Sequence, residues 1–311
     1  MKISILGAGS VGATVAYACL LRGVGDDLVL HDIDLAKAQA QALDLAHSVQ
    51  FAQMTNVTGT DDLDDCAGSD VLILAAGAKQ DPGQTRLDLA AANIEMCRQI
   101  LPTLAAGSPG MLLVVVTNPV DIVTRAAIEF SGLPPGRVFG TGTVLDSSRL
   151  RVLLARRCGV AVQNVHAYVV GEHGDSELAL WSTASISGIP LDHWPAELGG
   201  VPAVDERVSM LHEVRDSAAR IIAGKGATNY AIGVAAARVI EAATRNERRI
   251  LPVSSYLASY RGISDVCLSV PCILDRTGVA AALDVPMDAD EDAALLVSAT
   301  IIRDVCRSAG L

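Results

Sequence analysis

Four side chains carry most of the chemistry that this sequence can do: Arg86, Asp146, Arg149 and His173. Two guanidinium groups suit a small anion, because a planar fork matches the two oxygens of a carboxylate. An imidazole titrates near neutrality and can pass a proton in either direction. A carboxylate on its other ring nitrogen would fix the tautomer and favour the imidazolium. Upstream lies Gly7-Ala8-Gly9-Ser10-Val11-Gly12, a turn of the kind that cradles a dinucleotide. A proton donor, two anion clamps and a dinucleotide site are what hydride transfer to a small keto acid requires.

A glycine-rich turn can also serve packing alone, and its surroundings decide between the two readings. An apolar strand is expected at residues 2–6, a helix at 10–22, and Asp32 stands 20 residues beyond Gly12. In that context Gly7 and Gly9 permit close backbone approach to a pyrophosphate, and Gly12 lets helix and strand pack together. Val11 belongs to the same turn, whose helix N-terminus offers a favourable field for phosphate. Asp32 at the end of the second strand would accept hydrogen bonds from the adenosine ribose. Its charge would repel a 2′-phosphate, so the cofactor expected is NAD rather than NADP.

These groups need a scaffold, and the apolar runs supply one. Residues 28–30, 71–75 and 111–116 are continuous and apolar, as parallel strands covered on both faces should be. Helical patterns alternate with them, as at 35–47, through about residue 140. The fold class predicted is α/β: a doubly wound parallel sheet of Rossmann type at 1–142, followed by an α+β substrate domain at 143–311. In the second part, 165–170 and 251–270 read as strands, and 204–223 and 289–309 as helices. The small-residue helix at 231–243 is expected to pack back on the first domain. The segment 77–86 follows a strand at its carboxyl end, and its Gly and Pro suggest a movable flap carrying Arg86. In isolation, Arg86 could equally start a helix and form a surface ion pair.

Composition removes several classes of function. The chain has 311 residues, 50% of them apolar, a formal net charge of -11 and no basic stripe. Nucleic acid and anionic membrane surfaces are therefore not expected partners. Seven cysteines, an odd number without a Cys-x-x-Cys pair, argue against a disulfide framework or a structural metal. With no secretion signal or membrane span, a cytoplasmic location is the expectation.

Several blocks in order give the chain a resemblance over essentially its whole length. They are Gly7-Ala8-Gly9-Ser10-Val11-Gly12, Pro82-Gly83-Gln84-Thr85-Arg86, Thr117-Asn118-Pro119-Val120-Asp121, the run 142–149 ending Asp146-Ser147-Ser148-Arg149, Gly171-Glu172-His173-Gly174-Asp175, and Lys225-Gly226-Ala227-Thr228. The sequence resembles the lactate/malate dehydrogenase family, and within it the bacterial L-lactate dehydrogenases. The resemblance implies His173 as acid–base group, Asp146 as its orienter, Arg149 as anchor of the substrate carboxylate and Arg86 as the flap cation at the carbonyl. An Asp146–Arg149 pair within one helix is the alternative, and it is expected to leave His173 without an orienter. The resemblance adds Lys37, Gly77, Ala78 and Thr141 as cofactor contacts, and Asn118 as lining the nicotinamide and substrate pocket.

Substrate choice rests on Gln80. Malate dehydrogenases carry Arg at that flap position, which pairs with the second carboxylate of oxaloacetate. An uncharged Gln80 would leave that charge unpaired in a closed site, which is costly. Thr228 also fits the lactate pattern. The implied reaction is reversible hydride transfer between NADH and pyruvate giving (S)-lactate, with malate or another L-2-hydroxy acid as the alternative. Arg151 and His166 match positions that bind fructose 1,6-bisphosphate between subunits of allosteric relatives, and surface charge without regulatory meaning is the other reading. A homotetramer is the family habit. An NAD-dependent glycosidase or a non-catalytic NAD sensor fits less well: the first wants a Cys/His metal site, and the second has no need of His173 with two arginines.

Overall fold

The computed structural model describes residues 1–77 and 86–311, with side chains from residue 89 onward in the second stretch. Ala78 and Gln80 lie outside the described residues, as does the side chain of Arg86, whose backbone opens a helix.

The first part alternates strand and helix: β1 (Lys2–Leu6), α1 (Ser10–Arg22), β2 (Asp27–His31), α2 (Leu35–Ser48), β3 (Asn56–Thr60), β4 (Val71–Leu74), α3 (Arg86–Gly107), β5 (Leu112–Val115), α4 (Val120–Ser131) and β6 (Val138–Gly140). These six strands pair in parallel in the order β3-β2-β1-β4-β5-β6. β4 and β5 are buried along their whole length, which is why their sequences run apolar without alternation. Strand order reverses between β1 and β4, and a crevice opens there at the carboxyl ends. β3, with the sequence Asn-Val-Thr-Gly-Thr, is an edge strand that no apolar run announces.

The second part begins with α5 (Val144–Cys158), followed by the short strands β7 (Val165–His166), β8 (Val169–Val170), β9 (Leu178–Ala179), β10 (Ser185–Ile186) and β11 (Ile189–Pro190). The strand expected across 165–170 is two separate pieces, because β7 pairs with β10 while β8 pairs with β9. Then come α6 (Val204–Lys225), α7 (Tyr230–Thr244), β12 (Arg249–Leu257), β13 (Val266–Asp275), β14 (Gly278–Ala282) and α8 (Ala289–Ser308). The β12–β13–β14 meander does not stand apart. Ser254 of β12 pairs antiparallel with Gly140 of β6, and one sheet of nine strands runs through both parts.

α7 packs on α1 as its small residues predict. A Cβ added at Gly233 would lie 2.5 Å from Cγ2 of Thr14, so the two helix backbones touch where no side chain fits. α8 starts at an Asp288 cap that accepts from the backbone of Asp290 and Glu291, which is the role its acidic run suggested. All seven cysteines are buried and unpaired. Among the described residues, no helix is long and apolar enough to cross a membrane.

Candidate active site

The turn after β1 meets the demands of a dinucleotide. Gly7 has φ +98°, and a Cβ there would come within 2.7 Å of Ala76 Cα. A Cβ on Gly12 would stand 1.9 Å from the Gly7 carbonyl oxygen, so this glycine serves contact between turn and helix and does not line the cavity. Gly9 faces open space, its nearest neighbour being Lys37 Nζ at 4.0 Å. The cavity beside the turn holds about 840 Å³ and is lined by Gly7, Gly9, Val11, Asp32, Lys37 and Gly77, with Thr117 and Asn118 toward its inner end. Bare backbone and a helix N-terminus facing a cleft of this size fit a pyrophosphate.

Asp32 sits at the far wall. Its Oδ2 accepts from the backbone N–H of Ala8 at 2.8 Å and from Lys37 Nζ at 2.7 Å. Burial alone would push this carboxyl up, but Lys37 and the Ala8 and Asp34 N–H groups hold it below the usual carboxylate range. Lys37 therefore contacts the Asp32 carboxylate as well as the cavity. Thr141 is buried at the end of β6 with its N–H on the Val115 carbonyl, and it is not among the residues lining either cavity.

A second cavity of about 230 Å³ adjoins the first, and Leu89 and Asn118 line both. Its walls include Asp146, Arg149, His173, Glu177 and Arg215. Asn118 stands just past β5, and its carbonyl accepts from Nδ2 of Asn93 on α3 at 2.8 Å. Asp146 lies in the first turn of α5 and Arg149 one turn further on the same face. The Thr143 hydroxyl pins this helix start by donating to the Val169 carbonyl at 2.5 Å.

His173 follows β8 in a loop tied down on three sides. Gly171 exchanges backbone hydrogen bonds with Ser269 of β13, and the Glu172 N–H donates to Ser298 Oγ of α8 at 2.7 Å. The His173 N–H donates to Oδ2 of Asp121, a buried carboxylate in the first turn of α4, at 2.8 Å. Its Nδ1 donates to Asp146 Oδ2 at 2.7 Å. Asp146 also accepts from Arg149 Nη1, through Oδ1 at 2.8 Å. This corrects the expectation that a pair within α5 would deprive His173 of its orienter. A carboxylate has two oxygens, and the geometry gives each its own partner.

The electrostatics follow from this packing. Burial disfavours an imidazolium at His173, but Asp146 overrides it, and with Asp121 and Glu177 adding to the field the pKa rises to about 9. Burial raises Asp121 to about 6 against the lowering effect of Ser254 and the His173 N–H. Asp146 is buried too, yet His173 and Arg149 keep it ionised, below the usual range. The ligand-capable atoms of Asp146, His173 and Glu177 lie within 4.8 Å of one another. Both Asp146 oxygens already accept hydrogen bonds, from His173 and Arg149, so a metal ion there would have to compete with one of them, and the arrangement suits proton transfer better than metal binding. Asp121, Asn93, Glu177 and Arg215 are site residues that sequence reasoning did not assign. Asp121 and Glu177 stand in or next to quoted blocks, whereas Arg215 lies within a long helix whose pattern marks no function.

Thr228 is not among the residues lining either cavity, although its neighbour Ala227 lines the larger. Arg151 donates through Nε to the Ala167 carbonyl at 2.8 Å, and its guanidinium lies 5.1 Å from the Tyr168 ring centre. His166, one residue before Ala167, is exposed.

Residues 1–140 match the NAD binding domain of lactate/malate dehydrogenases, and residues 143–309 match their alpha/beta C-terminal domain. The chain belongs to the lactate/malate dehydrogenase family. It is 46% identical over 310 residues to an L-lactate dehydrogenase of Bifidobacterium animalis, covering 99% of this chain and 97% of that one. An L-lactate dehydrogenase of Synechococcus is 44% identical and covers 99% of each chain. The structure of a minor L-lactate dehydrogenase from Enterococcus mundtii, in its ligands-bound form, superposes with a TM-score of 0.93 at 37% identity, covering 99% of this chain and 98% of that one. Membership in this family brings NAD as cofactor.

Proposed function

We propose that this chain is an NAD-dependent oxidoreductase of L-lactate dehydrogenase type, interconverting pyruvate and (S)-lactate. The observation that carries this reading is the meeting of two cavities at Leu89 and Asn118, one shaped for a dinucleotide and one lined by Arg149 and His173. NADH, when bound, supplies the hydride. Arg149 binds the substrate carboxylate and turns the ketone toward His173. The imidazolium then donates its proton from Nε2 to the ketone oxygen, while Asp146 holds the ring through Nδ1. Arg86 is assigned to the developing charge on that oxygen, and Gln80 to the rejection of a second carboxylate. Asp32, Lys37, Gly7, Gly9, Val11 and Gly77 hold the cofactor, with Ala78 completing that set; Thr141 and Thr228, which line neither cavity, are assigned no direct contact. The working division of the chain is 1–142 for cofactor and 143–311 for substrate.

Comparing kcat/KM for pyruvate and oxaloacetate with NADH tests the substrate assignment. Pyruvate is expected to be preferred, and a preference for oxaloacetate would move the chain to the malate branch.

The reading extends to assembly and location. Apolar side chains are left exposed on α1 (Tyr17, Leu21), α2 (Leu43) and α7 (Tyr230, Val234), a surface suited to a homo-oligomer, and a tetramer is the state assigned. Arg151 and His166 are assigned to a fructose 1,6-bisphosphate site in that assembly, and the location to the cytoplasm. Light scattering with and without the bisphosphate, beside pyruvate saturation curves, tests both assembly and effector.

A further inference from the structure

Glu177 has no part in the proton transfer described above, yet it is built into the same pocket. The residue is 2% exposed, it lines the small cavity, and its Oε1 has no hydrogen-bond partner. Its arginine neighbour does not pair with the carboxylate directly. Arg215 on α6 gives Nη2 to the Glu177 backbone carbonyl, and its Nε is itself without a partner. From α5, Asp146 and Arg149 face the group, and from its own loop His173 does so. Asp175, on the same loop, lines the cavity as well. A buried carboxylate left without a partner is costly, and a second anion arriving a few ångströms away makes it costlier.

We propose that Glu177 gates the pocket for its anionic substrate: in its protonated form the site accepts a 2-oxo or 2-hydroxy monocarboxylate, and in its ionised form it repels one. The proposal rests on the lactate/pyruvate reading. Charge bookkeeping supports it. With pyruvate, Asp146 is balanced by protonated His173 and the pull on the substrate comes from Arg149 and Arg215; with lactate, His173 is neutral and Asp146 already offsets one of those two charges. Ionised Glu177 would cancel one of those two charges at short range. Burial, followed by the field of Asp146, pushes Glu177 up to about 8, against the lowering influence of His173, Arg215 and Arg149. The switch therefore falls in an accessible pH range.

Lactate oxidation separates this gate from the acid–base group, because it needs His173 neutral and Glu177 protonated. For the unaltered enzyme, kcat/KM for lactate should rise with pH as His173 loses its proton. With Glu177 near 8 and His173 near 9, the rise levels off from about pH 8 and gives way above about 9 to an alkaline descent of about tenfold per pH unit. In Glu177→Gln the rising limb stays and the descent disappears. In Arg215→Met, loss of the cation that lowers Glu177 moves the levelling-off to higher pH, a second reading that does not need the first variant to fold. A descent that persists in Glu177→Gln, or a levelling-off that stays in place in Arg215→Met, would overturn the gate alone. Absence of lactate turnover by the unaltered enzyme at every pH would overturn the functional reading and the gate with it.

Discussion

Asp146 gives one oxygen to His173 and the other to Arg149, at 2.7 and 2.8 Å, so a single buried carboxylate orients both the imidazole and the guanidinium. Asn at this position keeps the shape but has only one acceptor oxygen, and one of the two partners must lose its support. Asp146→Asn is therefore expected to lower kcat/KM for pyruvate by about 10²–10⁴-fold, the range associated with a general acid. Steady-state kinetics beside a circular dichroism spectrum checks this. A loss smaller than tenfold with an intact fold would mean that the double role is wrong.

Arg149→Lys keeps the charge and loses the planar fork. A charge-assisted hydrogen bond contributes about 1.5–3 kcal/mol, so the KM for pyruvate should rise roughly 10- to 150-fold. The effect belongs in KM more than in kcat, because the carboxylate is bound in both ground and transition states. A fall confined to kcat would place the guanidinium at the reacting carbonyl instead.

The pH dependence has opposite signs in the two directions. In the proposed reaction reduction requires the imidazolium at His173, so kcat for pyruvate persists at neutral pH and falls as pH rises through about 9, while the Glu177 gate acts on KM from about 8. Stability shifts the same way. A pKa raised in the folded state above its ordinary value of 6.5 gives stabilisation that is complete below 6.5 and lost on passing about 9. Melting temperature should decline across that window, and less steeply in His173→Gln. Equal slopes for the two proteins would show that His173 is not held charged by the fold.

How much of this was legible in the sequence depends on what each residue's signal is made of. Asp32, the glycine turn and the buried strands were readable because spacing and apolar continuity follow directly from backbone geometry. β3 was not readable, since an edge strand needs no apolar run and Asn56–Thr60 carries none. The merging of β12–β14 into the first sheet is a non-local event decided by the pairing of Ser254 with Gly140, which no local pattern encodes. Asp121 was visible as part of a block, but its hold on the His173 backbone depends on a helix start and a loop meeting across 52 positions of sequence. Glu177 and Arg215 were hidden for the same reason, since they come together only around the pocket.

Coenzyme choice tests the reading of Asp32. Replacing it with Ser removes the charge that would meet a 2′-phosphate and leaves Lys37 without its 2.7 Å partner. Asp32→Ser should weaken NADH binding and strengthen NADPH binding, measured as the ratio of the two dissociation constants. An unchanged ratio would remove Asp32 from the ribose site.

Gly12 tests the cradle itself. A methyl group there would clash with the Gly7 carbonyl at 1.9 Å, so Gly12→Ala must move the turn or the start of α1. Overpacking of this kind costs about 1–3 kcal/mol, and both a lower melting temperature and weaker NADH binding are expected. Wild-type NADH affinity in this variant would show that the turn does not shape the cofactor site.

The most direct measurement is a crystal structure with NADH and oxamate, a pyruvate mimic whose carboxylate and amide carbonyl stand in for the substrate's carboxylate and ketone. The carboxylate is expected on the Arg149 guanidinium, with the amide carbonyl within hydrogen-bond reach of His173 Nε2. Oxamate bound elsewhere, with Arg149 still engaged only by Asp146, would contradict the assignment of this pocket.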